Sequence, residues 1–340
     1  MEYYYLDIFR KRVPIRNMLL LGLTKIFYLV PSVPSDIQIE ITTRCNLDCF
    51  MCPRRELQIA YEDMPVERFK RIIDRIYQPS WVGLTGWGEP FLHPRIFEMI
   101  EYAKNKGHQT AITTNGWFLK SNVGNILKSG LDFLAVSIEG VSNEGEAKFL
   151  GHPYNYEVLQ GIENIARLRK EKGSLKVCLQ ITLHKNKKED VLKVIEYGVN
   201  IGVDSISLLR LHIGKKDVER PTLEEEIEIY RDVETLGRKL DVRVDSIFSR
   251  FKGTKRFFYG IINPYLYRKH RYCQKTHDHI YITLAGDIVP CCHLLNNKMG
   301  NILGDGVFKI WNSEKFKSFR KRQQDYCVKC DVHTFRFKQN

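Results

Sequence analysis

The segment Thr42-Thr43-Arg44-Cys45-Asn46-Leu47-Asp48-Cys49-Phe50-Met51-Cys52-Pro53 holds three cysteines spaced C-x3-C-x2-C. Thiolates select iron–sulfur clusters, and a closed cluster or a structural zinc site takes four protein ligands. Three thiolates on a four-iron cube leave one iron open to bind and reduce a further molecule. Zinc would need a fourth ligand nearby, and none stands out. The short interiors of the segment let one loop wrap a cube, with Phe50 and Met51 shielding it.

A second set, Cys273, Cys291, Cys327 and Cys330, offers four thiolates. Cys291 follows a Gly286-Asp287 turn, and Cys327 and Cys330 form a C-x2-C pair. Four ligands close a site, so this set predicts a cluster with no open iron or a four-cysteine zinc ribbon; spacing alone leaves both standing. Cys178 lies inside an apolar run and reads as core. Nine cysteines, an odd number in tight clusters, argue against a secreted disulfide framework and for metal ligation in a reducing cytoplasm.

Such groups need a scaffold. Short apolar runs at 37–42, 81–85, 109–113, 133–137, 176–182 and 205–209 alternate with amphipathic stretches at 66–77, 94–106, 119–128, 156–171, 188–201 and 223–239. Six strands alternating with six helices predict a parallel α/β sheet, a partial barrel with fewer units than the eight of a full one. The polar signatures follow the strands: the cysteines after the first, Gly86–Pro90 after the second, Thr114-Asn115-Gly116 after the third, Ser137 and Glu139 after the fourth. Function gathers at the carboxyl ends of parallel strands. Beyond residue 239 come a short strand at 242–245, a hairpin over 280–285 and 288–291, and a helix over 307–320.

Taken together, these motifs resemble the radical S-adenosylmethionine (SAM) enzymes. Cys45, Cys49 and Cys52 match that family's signature. Gly86-Trp87-Gly88-Glu89-Pro90 is similar to its glycine–glycine–glutamate–proline element, with Trp87 displacing the first glycine. Thr113-Thr114-Asn115-Gly116 is similar to its third-strand ending, and Val136-Ser137-Ile138-Glu139-Gly140 to its fourth, with Glu139 where aspartate is usual. The resemblance covers about 35–211 and implies a partial (β/α)6 TIM-like barrel. It implies that Cys45, Cys49 and Cys52 hold a 4Fe-4S cluster. Gly86, Gly88, Glu89, Asn115, Ser137 and Glu139 would then bind SAM, with the glutamate–proline loop receiving its amino group and Ser137 and Glu139 meeting its ribose. Reductive cleavage of SAM then yields a 5′-deoxyadenosyl radical that takes hydrogen from a substrate carbon.

The C-terminal run Gly286–Cys292, Gly300-Asn301-Ile302, Ile310–Ser313 and Arg320 resembles the SPASM and twitch extensions of that family. Ten cysteine-free residues follow Cys330, so the shortened, twitch-like form with one auxiliary 4Fe-4S cluster on Cys273, Cys291, Cys327 and Cys330 is expected. Cys292 and His293 stand beside this set as alternative ligands, with a redox or packing role preferred for them. A closed cluster cannot bind SAM; its expected task is electron transfer to or from the substrate radical, which implies an oxidoreductase-type enzyme fed by a donor such as ferredoxin or flavodoxin.

The expected organisation is an N-terminal apolar helix (1–34), the core barrel (35–240), a basic aromatic linker (241–272) and a small α+β cluster module (273–340). The 13-residue run Met18–Val30 contains Lys25 and is too short to span a bilayer, which takes roughly 20 apolar residues. It reads as a helix packed on a cytoplasmic protein, and in a second reading as peripheral membrane contact. Lysine and arginine exceed acidic residues by 13. The stretch 246–277 has eight of those bases, interleaved with aromatics and no acid, which suits a small anionic substrate as well as a plain solvated connector. The short N-terminal segment lowers the expectation of a peptide substrate. Arg210, His212, Lys148 and His152 are placed to face the cavity or equally the surface. Three functions follow: a radical SAM oxidation of a small anion, a radical SAM maturase acting on a peptide or protein, and a non-catalytic zinc-ribbon nucleic-acid binder, the last least favoured.

Overall fold

The structure, a computed structural model, describes residues 33–55, 59–141, 156–172, 174–185, 188–211, 219–246, 273–327 and 330. The expected N-terminal helix, most of the basic strip, and Lys148, His152 and His212 lie outside the described residues.

Seven parallel strands stand side by side in chain order: β1 (Asp36–Ile39), β2 (Trp81–Gly83), β3 (Gln109–Thr114), β4 (Phe133–Ser137), β5 (Lys176–Leu183), β6 (Ser205–Arg210) and β7 (Arg243–Ser246). Their crossovers carry α1 (Val66–Ile73), α2 (Ile96–Asn105), α3 (Leu119–Lys128), α4 (Tyr156–Lys172), α5 (Lys188–Ile201) and α6 (Leu223–Lys239). The parallel α/β sheet expected from sequence is therefore present. One strand more joins it than expected: the run read as the start of a linker pairs with β6, Ser205 opposite Arg243.

The last part of the chain does not form a sheet of its own. Its hairpin, β8 (His279–Ile282) and β9 (Asp287–Val289), returns to the opposite edge, and β8 pairs in parallel with β1, Asp36 opposite His279 and Ile39 opposite Ile282. The short β10 (Gly300–Asn301) completes a ten-stranded sheet. Gly286 closes the hairpin at φ 85°, a left-handed conformation that a side chain disfavours, with its N–H donating to the Thr283 carbonyl at 2.8 Å. The helix expected over 307–320 is two helices, α7 (Ile302–Trp311) and α8 (Glu314–Lys321), because the Ser313 hydroxyl accepts from the Phe316 N–H and starts a new one. A short α9 (Gln323–Tyr326) follows.

Strand alternation divides the side chains between two faces. Ile37, Ile39, Val82, Ile112, Leu134, Val136, Leu179, Ile206, Ile280 and Ile282 point toward the helices and form the main core. The opposite, inner face begins with a small apolar plug of Trp81, Ala111, Phe133, Ala135 and Cys178. Cys178 is thus a core residue, its thiol pushed up to about 12 by burial. Toward the carboxyl ends the inner face turns polar: Gln38, Glu40, Thr85, Thr113, Ser137, Gln180, Ser207 and Tyr281. In register across three strands stand Ser137, Gln180 and Ser207.

Candidate active site

The four polar loops meet at the cysteine segment. Cys45, Cys49 and Cys52 are half-buried on the loop after β1, none in a disulfide, and the Cys52 N–H donates to the Cys49 carbonyl at 3.0 Å. Burial, then the neighbouring Cys52 and Cys45 sulfurs, push the Cys49 thiol up to about 12. Burial and the neighbouring sulfurs thus disfavour a Cys49 thiolate unless a cationic centre lies beside it, which is the electrostatic setting of a metal cluster. Among the described residues no three His, Cys, Asp or Glu side chains converge on a single-ion position. The ligands of a cube bind different irons and need not do so.

The loop after β2 lies directly on this segment. The Glu89 N–H donates to the Arg44 carbonyl at 2.8 Å. A Cβ on Gly88 would stand 2.5 Å from the Arg44 carbonyl oxygen and 2.6 Å from that of Thr42, so only glycine admits this approach. The Glu89 carboxylate is buried and accepts from Thr114 Oγ1 at 2.7 Å, Asn115 N at 2.8 Å and Phe91 N at 3.2 Å. Those three donors only partly offset burial, which lifts its pKa to about 7. Glu89 therefore ties the loop after β2 to the loop after β3 with its own carboxylate. Asn115 continues the tie, its side-chain amide donating to Asn46 Oδ1 at 2.9 Å and its oxygen accepting from Trp117 N.

Ser137 ends β4 on the inner face, and Glu139 follows, 1 % exposed, with its Oε2 3.8 Å from His184 Nε2 beyond β5. Glu139 also raises the Cys49 pKa, which puts its charge within reach of the cysteine loop. His184 was not singled out in the sequence; its position two residues past Thr182 on the inner face is the signal that finds it. Arg210 does not face the cavity. It points to the helix side of β6, where its Nε is 2.7 Å from Glu226 Oε2 of α6.

In the C-terminal region, Gln323 clamps Cys273: its Oε1 accepts from the Cys273 N–H at 2.6 Å and its Nε2 donates to the Cys273 carbonyl at 3.1 Å. The Gln323 carbonyl in turn accepts from Cys327 N at 2.9 Å, and the Cys327 carbonyl from Cys330 N at 3.1 Å. Three of the four cysteines are thereby joined by one short helix. Burial, then Cys330, pushes the Cys327 thiol up to about 12. Cys291 sits past β9 on the hairpin, two residues beyond Val289, which pairs with the buried Tyr281 of β8.

This arrangement is that of a radical SAM barrel with an iron–sulfur extension. The model of the radical SAM superfamily matches residues 39–198, and that of the SPASM iron-sulfur cluster-binding domain matches 273–331. With the fold, these place the chain in the radical SAM superfamily, as a member with a C-terminal SPASM domain. A 4Fe-4S cluster, SAM and auxiliary iron–sulfur ligation belong to that pair of domains, and the donor sets described above fit them.

Among relatives, the chain is 23% identical over 323 residues to the tungsten-containing aldehyde ferredoxin oxidoreductase cofactor-modifying protein of Pyrococcus furiosus, 87% of either chain being covered. It is 28% identical over 239 residues to a probable GTP 3′,8-cyclase of Saccharolobus islandicus, covering 68% of this chain and 74% of the relative. Streptococcus suis SuiB bound to S-adenosylmethionine has the same fold, with TM-score 0.69 at 16% identity over 93% of this chain and 75% of SuiB. SuiB bound to its precursor peptide SuiA superposes with TM-score 0.67 at 17% identity, over 94% and 74% of the two chains. No helix among the described residues is long and apolar enough to cross a membrane.

Proposed function

We propose that this protein abstracts a hydrogen atom from a substrate seated on the polar inner face, and that its C-terminal cysteines would hold a single auxiliary cluster, a one-electron acceptor for the substrate radical. In this reading Cys45, Cys49 and Cys52 hold the cluster with the open iron. The backbone of Gly86–Gly88 receives the amino group of SAM, and Ser137 and Glu139 meet its ribose. When bound, the cluster and SAM supply a reducing electron and a carbon-centred radical. The chain's own work is positional. Gly88 lets two loops touch, Glu89 and Asn115 lock three loops together, and the apolar plug closes the floor against water. Cys273, Cys291, Cys327 and Cys330 ligate the auxiliary cluster, and a small ferredoxin- or flavodoxin-type donor supplies electrons.

The observation that carries this reading is the meeting of four strand-end loops at three half-buried cysteines. The described inner face also bears on the substrate. Its lysine and arginine, Lys176 and Arg243, are ion-paired with Asp204 and Asp245, and the rest are uncharged, acidic or histidine side chains. Such a wall suits a polar substrate of low net charge, which favours a peptide or protein segment over the small anion expected from the basic strip. The similarity to a cofactor-modifying protein and to a peptide-bound enzyme supports the same choice. The similarity to a probable nucleotide cyclase keeps an anionic small molecule as the second reading.

Anaerobically purified protein should contain about eight irons per chain, two four-iron cubes. Replacing Cys45, Cys49 and Cys52 by Ala should abolish reductive SAM cleavage and leave about four irons. Replacing Cys327 and Cys330 should spare SAM cleavage and leave a similar iron count. Stoichiometric zinc with little iron would overturn the assignment.

A further inference from the structure

Between the two cysteine sites lies a junction that neither site accounts for. Its centre is Glu40, on the inner face just past β1 and 5 % exposed. Glu40 Oε1 accepts from the Tyr281 hydroxyl of β8 at 2.8 Å and from the Trp87 N–H at 3.4 Å. The Glu40 N–H donates to the Ile282 carbonyl at 2.9 Å, so main chain and side chain both grip β8. A Cβ on Gly86 would stand 2.6 Å from Glu40 Cγ; that glycine is needed because the glutamate occupies the space. On the far side of the loop, the Trp87 ring meets the His293 ring edge-on, 5.6 Å between centroids. Tyr281 is fully buried and pairs with Val289, two residues before Cys291.

We propose that Glu40 is a positioning residue that couples the two cofactor sites: through Trp87 it sets the loop proposed to hold the SAM amino group, and through Tyr281 it sets the strand that leads into Cys291. The inference rests on the function proposed above and adds a direction of communication to it. The loop 86–90 touches the cysteine segment on one side and Glu40 on the other, so a ligand that shifts the loop changes what Glu40 can offer Tyr281. Across the β8–β9 pairing Tyr281 stands opposite Val289, two residues before Cys291, so the hydroxyl sits on the strand pair that carries this cysteine. A change in a hydrogen bond beside cluster sulfurs moves a reduction potential. Occupation of the SAM site would thus be felt at the auxiliary cluster without any contact between SAM and that cluster. Backbone contacts alone predict no such dependence, because they leave the Tyr281 hydroxyl out.

The test uses the full chain with its iron and SAM as the probe. The midpoint potential of the auxiliary cluster is read by redox titration with electron paramagnetic resonance, with and without saturating SAM. SAM should shift that potential in the wild type. The shift should vanish in Tyr281→Phe, which keeps the buried volume and removes only the hydroxyl. Glu40→Gln, which can still accept from both donors, should retain at least half of it. Glu40→Ala should weaken SAM binding roughly tenfold, as loss of a buried acceptor shared by two donors does. A potential indifferent to SAM in the wild type, or a shift that persists in Tyr281→Phe, overturns the coupling while leaving the proposed function intact. A wild type with about four irons and no second reducible cluster overturns both. Iron content of each variant separates a lost hydrogen bond from a lost fold; if Tyr281→Phe loads poorly, Glu40→Ala at saturating SAM decides, a shift that persists there overturning the coupling.

Discussion

At the scale of single residues, Glu89 shows how the same side chain can serve a motif and a fold. Its carboxylate is held by Thr114, Asn115 and Phe91 while burial lifts its pKa to about 7 from an ordinary 4.5. An acid with a raised folded pKa favours the folded state while protonated. Its contribution is full below the unfolded value and is lost as pH rises through the folded one. A shift of this size corresponds to about 3 kcal/mol. Relative to Glu89→Gln, which cannot titrate, the wild type should therefore lose about 3 kcal/mol of unfolding free energy between about pH 4 and about pH 8. Urea unfolding curves of both proteins check this, and parallel pH dependences would refute it.

At the scale of elements, Arg210 belongs to the scaffold. It bridges β6 to α6 through Glu226, which is fully buried and also lies 3.4 Å from Arg220. Breaking a buried pair from one side is costly because the remaining charge loses its compensation. Arg210→Ala should lower unfolding free energy by about 3 kcal/mol and leave SAM affinity of the folded protein unchanged. Denaturant titration and calorimetric SAM binding read the two effects separately. A large loss of SAM affinity with unaltered stability would return Arg210 to the cavity. The capping box at the start of α6, Thr222 with Glu225, marks the same helix as locally well specified.

At the scale of the whole molecule, barrel and extension share one sheet. β8 covers the edge of β1, and Ile280 and Ile282 lie in the main core beside Ile37 and Ile39. Ending the chain at residue 272 would bare a parallel edge strand and uncover core side chains, a pairing template for other chains. Residues 1–272 should thus be recovered as aggregate, with size-exclusion chromatography as the check. A monomeric, SAM-binding fragment would show that the barrel stands alone. The same sharing gives Glu40 its reach, since its two side-chain partners come from opposite ends of the sequence.

The strand and helix periodicities were legible because they are local: β4, α3, α5 and α6 have the spans that spacing predicts. The cysteine counts were legible for a similar reason, since three or four thiolates within a short segment or beside a turn state a ligand number before any fold is known. By itself the sequence determined the succession of strands and helices, the placement of polar loops at the strand ends and the resemblance to a family. What only the tertiary structure decided depends on pairs far apart in the chain. Whether Arg210 faces cavity or helix turns on one register position. The union of β8 with β1 turns on hydrogen bonds spanning some 240 residues. The roles of Glu89, Glu40 and Gln323 turn on donors that converge only when loops pack. Local patterns state which face a residue occupies; long-range packing alone sets what stands opposite it.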